Sequence, residues 1–295
     1  MPRAALLALV LSACAAAPAR PATPPSGDPR VGTYVSSAWG FRTSSYWIEG
    51  PTGVVVIDTQ FLPSAAEELL ERAERATGKP VVLAIVLHAN PDKFNGASVF
   101  SRRGIRVVTS AQVRALVPHV FEIRTRAFGA RYAPDWPTAT PEVESFGDAT
   151  TTLEAGGLRL RAHVVGGGVS AAHVVVEWEG HVFVGDLVAN GHHAWLELGL
   201  LDAWRDRLAE IDALQPSRVH PGRGASGGPE LVERQRAYLD RVESIVAAAG
   251  AHEPTPTLVE RLRTEIEAAY PGLGHAVFLR IGLPAVIRAT AGSVR

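Results

Sequence analysis

The chain has 295 residues and a formal net charge of -1, with 46% hydrophobic and 20% charged residues. This composition is typical of a globular protein that buries a substantial core, and it argues against disorder. Because 29 Lys and Arg are balanced by 30 Asp and Glu, the chain lacks the surplus positive charge that binding to nucleic-acid phosphates requires. We therefore expect no nucleic acid among its partners.

The N-terminus is interpreted as an export signal over residues 1–14. Arg3 precedes an apolar run over residues 4–10, far shorter than the roughly 20 residues that a membrane-spanning helix needs. The run is followed by Leu11-Ser12-Ala13-Cys14, which resembles the bacterial lipobox, whose Cys becomes the lipidated first residue of the mature chain. Residues 13–15 also fit an ordinary signal-peptidase site. Both alternatives predict an exported protein on the periplasmic or cell-surface face, and the lipobox adds a membrane anchor at Cys14.

Cys14 is the only cysteine, so the folded domain is predicted to contain neither a disulfide nor a reactive thiolate. Residues 15–30 are rich in Ala and Pro and lack apolar periodicity, which indicates an extended tether. Residues 31–295 are predicted to form a single domain that ends in helices.

The first half of this domain shows strands followed by alternating helices and strands. Strand-like segments at 32–37, 44–49 and 54–58 predict a β-meander, and a helix is predicted over 64–77. A buried strand over 81–87 leads into a polar turn at 88–96, where ligand sites of α/β sheets tend to lie. After a strand at 106–109 and a helix at 111–116, residues 124–141 are rich in Arg, Pro and aromatic residues. We interpret that last stretch as a loop or lid.

The second half repeats this plan. Strands are predicted at 158–165, 173–178 and 181–184, with Gly185-Asp186 at a strand end. An apolar stripe that includes Trp204 predicts a helix, and a short strand at 218–220 is followed by a tight turn at 221–224. Two further stripes, beginning at Leu231 and Leu258, predict the closing helices.

Taken in order, these motifs resemble those of the metallo-β-lactamase superfamily. The resemblance is carried by Ile57-Asp58-Thr59, His88 to Lys93, residues 166–173, Gly185-Asp186 and residues 221–224. It spans residues 31 to about 242. It implies an α/β fold of the four-layer αβ/βα sandwich type. In intact members a pair of metal ions, commonly zinc, activates a water for attack on an ester, lactam, thioester or phosphoester.

The metal ligands of the family carry over incompletely. Its ligand positions correspond, in chain order, to His88, Asn90, Asp92, Lys93, Val169, Asp186 and Arg223. Only His88, Asp92 and Asp186 remain as residual metal ligands, and a catalytic zinc needs about three protein ligands plus an open position for water. We therefore expect no cofactor, with zinc at reduced occupancy as the alternative.

The two cations at former ligand positions suggest what stabilises the remaining carboxylates. Lys93 and Arg223 are charged at neutral pH, and buried carboxylates require paired charges. We therefore expect Asp92 and Asp186 to contact Lys93 or Arg223 in a metal-free polar network.

Several residues keep more than one interpretation. His88 is either a residual ligand or general base, or a hydrogen-bonded residue without chemistry. Lys93 is a catalytic amine, an anion-binding group or an ion-pair partner, and Asp92 is the third catalytic candidate. Arg223 either clamps an anionic ligand or pairs with Asp186.

Residues near these positions extend the candidate site. Asn90 and His193 are further candidates for anion binding, and His193 is also a possible replacement metal ligand. Trp136 and Trp195 are expected to line a cleft. The remaining strand histidines, His163, His173, His181 and His220, are interpreted as structural.

The sequence supports functions from different classes. The first is a non-catalytic or strongly diverged binding protein for a small anionic ligand or a partner protein. The alternative is a hydrolase that works through a single residual metal, or without metal through His88 as base. A structural lipoprotein with no ligand is a third possibility, so whether the protein is an enzyme is left open.

Overall fold

The structure is a computed structural model that describes residues 27–250 and 253–293. The predicted export signal, Cys14 and most of the predicted tether lie outside the described residues. Residues 27–30, at the end of that tether, lie against the domain. The guanidinium of Arg30 stacks over the ring of Trp178 at 4.4 Å, and its Nη2 is 2.7 Å from Oε2 of Glu179.

The first half of the domain folds into a six-stranded sheet. Its strands are, in spatial order, β1 (Val31–Val35), β2 (Ser44–Glu49), β3 (Val54–Ile57), β4 (Val81–Ile85), β5 (Arg106–Thr109) and β6 (Glu144–Ser145). The first three strands pair antiparallel, as the predicted meander requires, and the later ones pair parallel. Helix α1 (Pro63–Thr77) connects β3 to β4. It buries Leu69 and Leu70 completely because both belong to an apolar stripe that also includes Ala66 and Ala73.

The second half forms a five-stranded sheet. Its spatial order is β11 (Arg218–Arg223), β10 (His181–Ala189), β9 (His173–Trp178), β8 (Leu158–Val165) and β7 (Thr151–Ala155). Only β10 and β11 pair parallel. Helices α6 (Leu201–Ala213) and α7 (Glu230–Ala248) pack on β10. The predicted α/β sandwich of two sheets with helices is confirmed.

Six further α-helices lie in the described part of the chain, together with a 3-10 helix (Ala38–Gly40). The α-helices are α2 (Pro91–Phe94), α3 (Ala97–Arg102), α4 (Ala111–Arg124), α5 (Ala130–Tyr132), α8 (Pro256–Ala269) and α9 (Val277–Ser293). Within the described residues, none of the helices has the length and apolar character needed to span a bilayer.

Three local predictions were wrong. Helix α4 extends to Arg124 and passes through Pro118, where the apolar pattern is interrupted, and a π-helical turn and α5 replace the start of the predicted loop. Gly185 has a φ of 58° and disturbs the register inside β10, so Asp186 lies within a strand. Pro221 lies in β11 because this strand is at the sheet edge, where a missing N–H is tolerated.

Candidate functional site

Segments from both sheets meet at one end of the sandwich. Asp58 directly follows β3, and His88 comes shortly after β4. Asp92 lies in the short helix α2, Asp186 lies in β10, and Arg223 ends β11. Because parallel strands end at the same sheet edge, residues that are far apart in sequence are brought together here.

Lys93 and Arg223 each bridge the same two carboxylates. Nζ of Lys93 is 3.0 Å from Oδ2 of Asp92 and 2.9 Å from Oδ1 of Asp186. On Arg223, Nη2 is 2.8 Å from Oδ2 of Asp92 and Nη1 is 2.6 Å from Oδ2 of Asp186. None of these four side chains is more than 8% exposed. The expected contacts between carboxylates and cations are therefore present, and we call these four residues the ionic network.

The ionic network keeps its members charged at neutral pH. Burial raises the pKa of the Asp92 and Asp186 carboxyls, but the adjacent Lys93 and Arg223 outweigh it and hold both below the usual value. Burial likewise lowers the pKa of both cations, and the two carboxylates more than reverse this effect. Two positive and two negative charges thus cancel within a few ångströms.

Asp58 lies under this network and organises the loop above it. Its Oδ1 accepts a hydrogen bond of 2.9 Å from the backbone N–H of Leu87, and its Oδ2 is 3.9 Å from Nζ of Lys93. Burial raises the pKa of Asp58 to about 8, although Lys93 opposes the shift. At neutral pH this carboxyl is therefore mostly protonated and adds little negative charge.

His88 is buried beside the network. Its Nε2 lies 3.5 Å from Oδ2 of Asp186, and neither ring nitrogen has a hydrogen-bond partner among the described residues. The neighbouring His173 is held by its own loop, since Nδ1 is 3.0 Å from the carbonyl oxygen of Gly166 and Nε2 accepts from the Ser170 N–H. Burial lowers the pKa of His173 to about 3, so this imidazole stays neutral.

The donors at this site do not fit the dinuclear metal centre that the resemblance implies. Val169 is 2% exposed and belongs to the same hydrophobic cluster as Leu187 and Trp204. Lys93 and Arg223 carry positive charges and offer no lone pair for a metal. Within the described ranges, no group of three or more His, Cys, Asp or Glu residues could hold a metal ion.

A small pocket opens above the ionic network. It is narrow, with a volume of about 40 Å3 for the centres of water-sized molecules, and its walls are largely aromatic. The aromatic wall residues are Phe41, Phe61, Phe128, Trp195 and Phe278, and the polar lining is Asn90, Asp92, Arg124, Asp186 and Arg223. Phe278 packs against the guanidinium of Arg223, whose Cζ is 5.2 Å from the ring centroid.

The structure brings only some of the predicted site residues to this pocket. Asn90 and Trp195 line it, whereas Lys93 is fully buried beneath it. His193 is not among the lining residues, and its Nδ1 lies 3.0 Å from the hydroxyl of Tyr238. Trp136 is 6% exposed and packs behind the wall, with its ring 5.2 Å from that of Phe61.

The strand histidines have partners of their own. His163 Nε2 is 2.9 Å from Oε2 of Glu177. His220 lies between His181 and Ser226, with contacts of 2.9 Å to Nδ1 of His181 and 2.8 Å to Oγ of Ser226. These contacts agree with a structural role.

Sequence reasoning missed Phe278 and Arg124. Phe278 lies in α9, beyond the region of resemblance, and helical periodicity alone marks it as a core residue. Arg124 ends α4, where it forms a salt bridge with Glu197 and stacks over Trp195 at 5.4 Å. No local sequence pattern predicts that Phe278 or Arg124 lines the pocket, because their positions depend on how segments that are distant in sequence pack together.

Comparison with known proteins agrees with this fold. The family model described as the metallo-β-lactamase superfamily matches residues 38–223. A metallo-β-lactamase family protein from Thermus thermophilus aligns with a TM-score of 0.69 at 16% identity, over 90% of this chain and 94% of that one. A metallo-β-lactamase from Pontibacter korlensis aligns with a TM-score of 0.55 at 24% identity, over 71% and 94%.

A third similar structure is a metallo-β-lactamase from Pseudomonas aeruginosa in its mono-zinc form. It aligns with a TM-score of 0.53 at 18% identity, over 72% of this chain and 89% of that one. Comparison with curated protein sequences finds no match. At these identities the structural likeness establishes the fold and leaves the chemistry to the residues of this chain.

Proposed function

Because the chain belongs to the metallo-β-lactamase superfamily and yet pairs its remaining carboxylates with buried cations, we propose that it is a metal-independent binding protein. The observation that carries this proposal is the double bridge, in which Lys93 and Arg223 each contact both Asp92 and Asp186. In this arrangement the carboxylates neutralise side chains of the protein itself.

Binding a metal here would require the ionic network to be taken apart. Removing one partner from a buried ion pair costs about 3–5 kcal/mol, because the other charge is left uncompensated. A divalent ion would also face the repulsion of an ammonium and a guanidinium within a few ångströms. These costs oppose metal binding at the very carboxylates that would serve as ligands.

The geometry opposes the alternative of a metal-free hydrolase. A general base must reach a proton of the substrate, but His88 is fully buried and is not among the residues that line the pocket. Asp92 and Asp186 have lowered pKa values, and the carboxylates raise the pKa of Lys93. Lys93 is therefore protonated and unsuited to act as a nucleophile near neutral pH.

The pocket above the network is the binding site in this proposal. Concave sites with apolar walls and a few polar groups are typical of small-molecule binding. The geometry opposes the anionic ligand expected from the sequence, because Lys93 and Arg223 already have carboxylate partners.

Metal analysis tests the central claim. Zinc, iron and manganese are measured in the mature domain purified without chelator, and in a His88→Ala, Asp92→Ala variant. We expect substoichiometric metal that does not differ between the two proteins, and a melting temperature unaffected by EDTA. One tightly held metal per chain that the variant loses would overturn the proposal and direct work toward a hydrolase screen.

We further propose that the protein is exported and attached to a membrane through Cys14. The support is the sequence pattern of residues 1–14, with its lipobox-like end. Metabolic labelling with a fatty acid, followed by fractionation, compares the full chain with a Cys14→Ala variant. A labelled, membrane-bound wild type and an unlabelled variant are expected, and an unlabelled soluble wild type would favour ordinary signal cleavage.

A further inference from the structure

We propose that the pocket binds an uncharged, flat aromatic molecule that carries a carboxamide-like group. This inference rests on the proposed binding function and specifies the class of ligand. It follows from three features of the pocket: the continuity of its aromatic wall, the pairing of its charges and the unpaired amide of Asn90.

The aromatic wall is continuous from one side of the pocket to the other. Ring centroids are 5.9 Å apart between Phe128 and Phe61 and 5.0 Å between Phe61 and Phe41. The wall continues with 6.2 Å between Phe41 and Phe278 and 4.9 Å between Phe278 and Trp195. Phe61 and Phe278 are each 2% exposed and hold the wall in place, whereas Phe41, Phe128 and Trp195 are only partly buried. These partly exposed rings favour another ring in edge-to-face or offset contact.

Each charged residue that lines the pocket has a partner of opposite charge. Arg223 contacts Asp92 and Asp186, and at the rim Arg124 pairs with Glu197. An anionic ligand would compete with carboxylates for these cations, and a cationic ligand would compete with buried cations for the carboxylates. Both exchanges disturb buried ion pairs, so an uncharged ligand is favoured.

Two groups remain that can orient such a ligand. Asn90 lines the pocket, and its side-chain amide makes no hydrogen bond to the described residues. Arg223 donates through Nε to the carbonyl oxygen of Phe41 and through each terminal nitrogen to a carboxylate. A guanidinium has five N–H groups, so each terminal nitrogen keeps a second one. A carboxamide complements this set, since it both accepts and donates.

Three probes that share one ring test the charge preference. Benzamide, benzoate and benzamidine have nearly the same shape and are neutral, anionic and cationic. Ligand-observed NMR and calorimetry on the mature domain measure binding of each. We expect benzamide to bind with a Kd on the order of 1 mM, as suits a fragment of this size. The two charged probes should bind about tenfold more weakly or worse.

Two asparagine variants test whether benzamide binds in the pocket or elsewhere on the surface. Asn90→Ala should weaken benzamide binding about fivefold, the loss expected for one or two neutral hydrogen bonds. Asn190→Ala is the matched control, because Asn190 bonds to the carbonyl oxygen of Ala225 and does not line the pocket. The control should bind benzamide as the wild type does.

The outcomes distinguish failure of the ligand class from failure of the proposed function. Tighter binding of benzoate or of benzamidine, or no binding of any probe, would overturn the uncharged aromatic class and leave the metal result unaffected. Equal losses of benzamide affinity in Asn90→Ala and Asn190→Ala would also overturn the proposed ligand class. Release of benzoate from benzamide by the protein would instead overturn the proposal that it is a binding protein.

Discussion

Nη1 of Arg223 lies 2.6 Å from Oδ2 of Asp186, and the glycine before the arginine makes this approach possible. A Cβ at Gly222 would lie 1.8 Å from Oδ1 of Asp186, closer than any side chain can be accommodated. The backbone of β11 therefore passes directly beside the carboxylate, and the guanidinium folds back to pair with it. From the end of β11, Arg223 also reaches Asp92, so one side chain joins the two halves of the sandwich.

Removing the Arg223 charge should destabilise the protein strongly. In Arg223→Met a side chain of similar length is kept, but Asp92 and Asp186 are left with Lys93 as their only cation in the ionic network. We expect a loss of about 3–5 kcal/mol in the free energy of unfolding, measured by urea denaturation.

Arg280→Met is the control for this prediction. Arg280 pairs with Glu260, but its side chain is 59% exposed. Exposed ion pairs contribute little because solvent screens them, so the control should lose little stability. Similar losses in the two variants would mean that the ionic network is not a buried, coupled unit.

The fold was largely predictable from the sequence because its signals are local. The apolar run that becomes β4 and the turn after it follow from periodicity and from Gly and Pro positions. The ends of β10 and β11 were not predictable, because a Gly with positive φ and a Pro ordinarily signal a turn. Here Gly185 sits at a register shift and Pro221 sits on an edge strand, which only the sheet order explains.

The ion pairs of the site were predictable, because buried charges require partners of opposite charge. Lys93 and Arg223 at former ligand positions required carboxylate partners, and Asp92 and Asp186 were the carboxylates available. The pocket wall was not predictable in the same way. Phe278 reaches Arg223 from α9, and Trp195 meets Arg124 from a distant helix. Such contacts arise from the packing of remote segments.

Stability should fall on acidification below pH 6.5 because burial lowers the pKa of several histidines, most strongly that of His173 and His220. Burial lowers the pKa of His173 and His220 to about 3. Between pH 6.5 and 3 these histidines are therefore protonated in the unfolded chain but neutral in the native state. The free energy of unfolding thus rises with pH in this window. Each histidine contributes about 1.4 kcal/mol per pH unit, which urea denaturation at successive pH values measures.

A pair of glutamine variants isolates the histidine effect. His220→Gln should remove one proton from the slope of stability against pH below 6.5. His119→Gln is the matched control because His119 is exposed on α4. An unchanged slope in His220→Gln would contradict the assignment of His220 as a buried neutral base.

Titration of Asp58 should change the free energy of unfolding in the opposite direction, over a pH range that overlaps that of the histidines. Burial raises its pKa to about 8 in the native state, against a usual value of 3.8. Between these values the native state holds a proton that the unfolded chain has lost, so stability decreases as pH rises. Below pH 6.5 the buried histidines outweigh the effect of Asp58, and above pH 6.5 Asp58 acts without them. Maximum stability is expected near pH 6–7, and Asp58→Asn should flatten the decline between pH 6.5 and 8. A decline of the same slope in Asp58→Asn would rule out this carboxyl as its source.

Replacing both cations of the ionic network with imidazoles should create metal binding. In a Lys93→His, Arg223→His variant, Asp92 and Asp186 lose their compensating charges and gain two neutral nitrogen donors beside them, a set that suits zinc. Added zinc should raise the melting temperature of this variant, because binding to the native state at 100 times Kd stabilises it by about 2.7 kcal/mol. The wild type should not respond. Adding Asp186→Ala to the variant provides the control, since it removes one carboxylate and should abolish the shift. A wild type stabilised as much as the double variant would show that Lys93 and Arg223 do not keep the metal out.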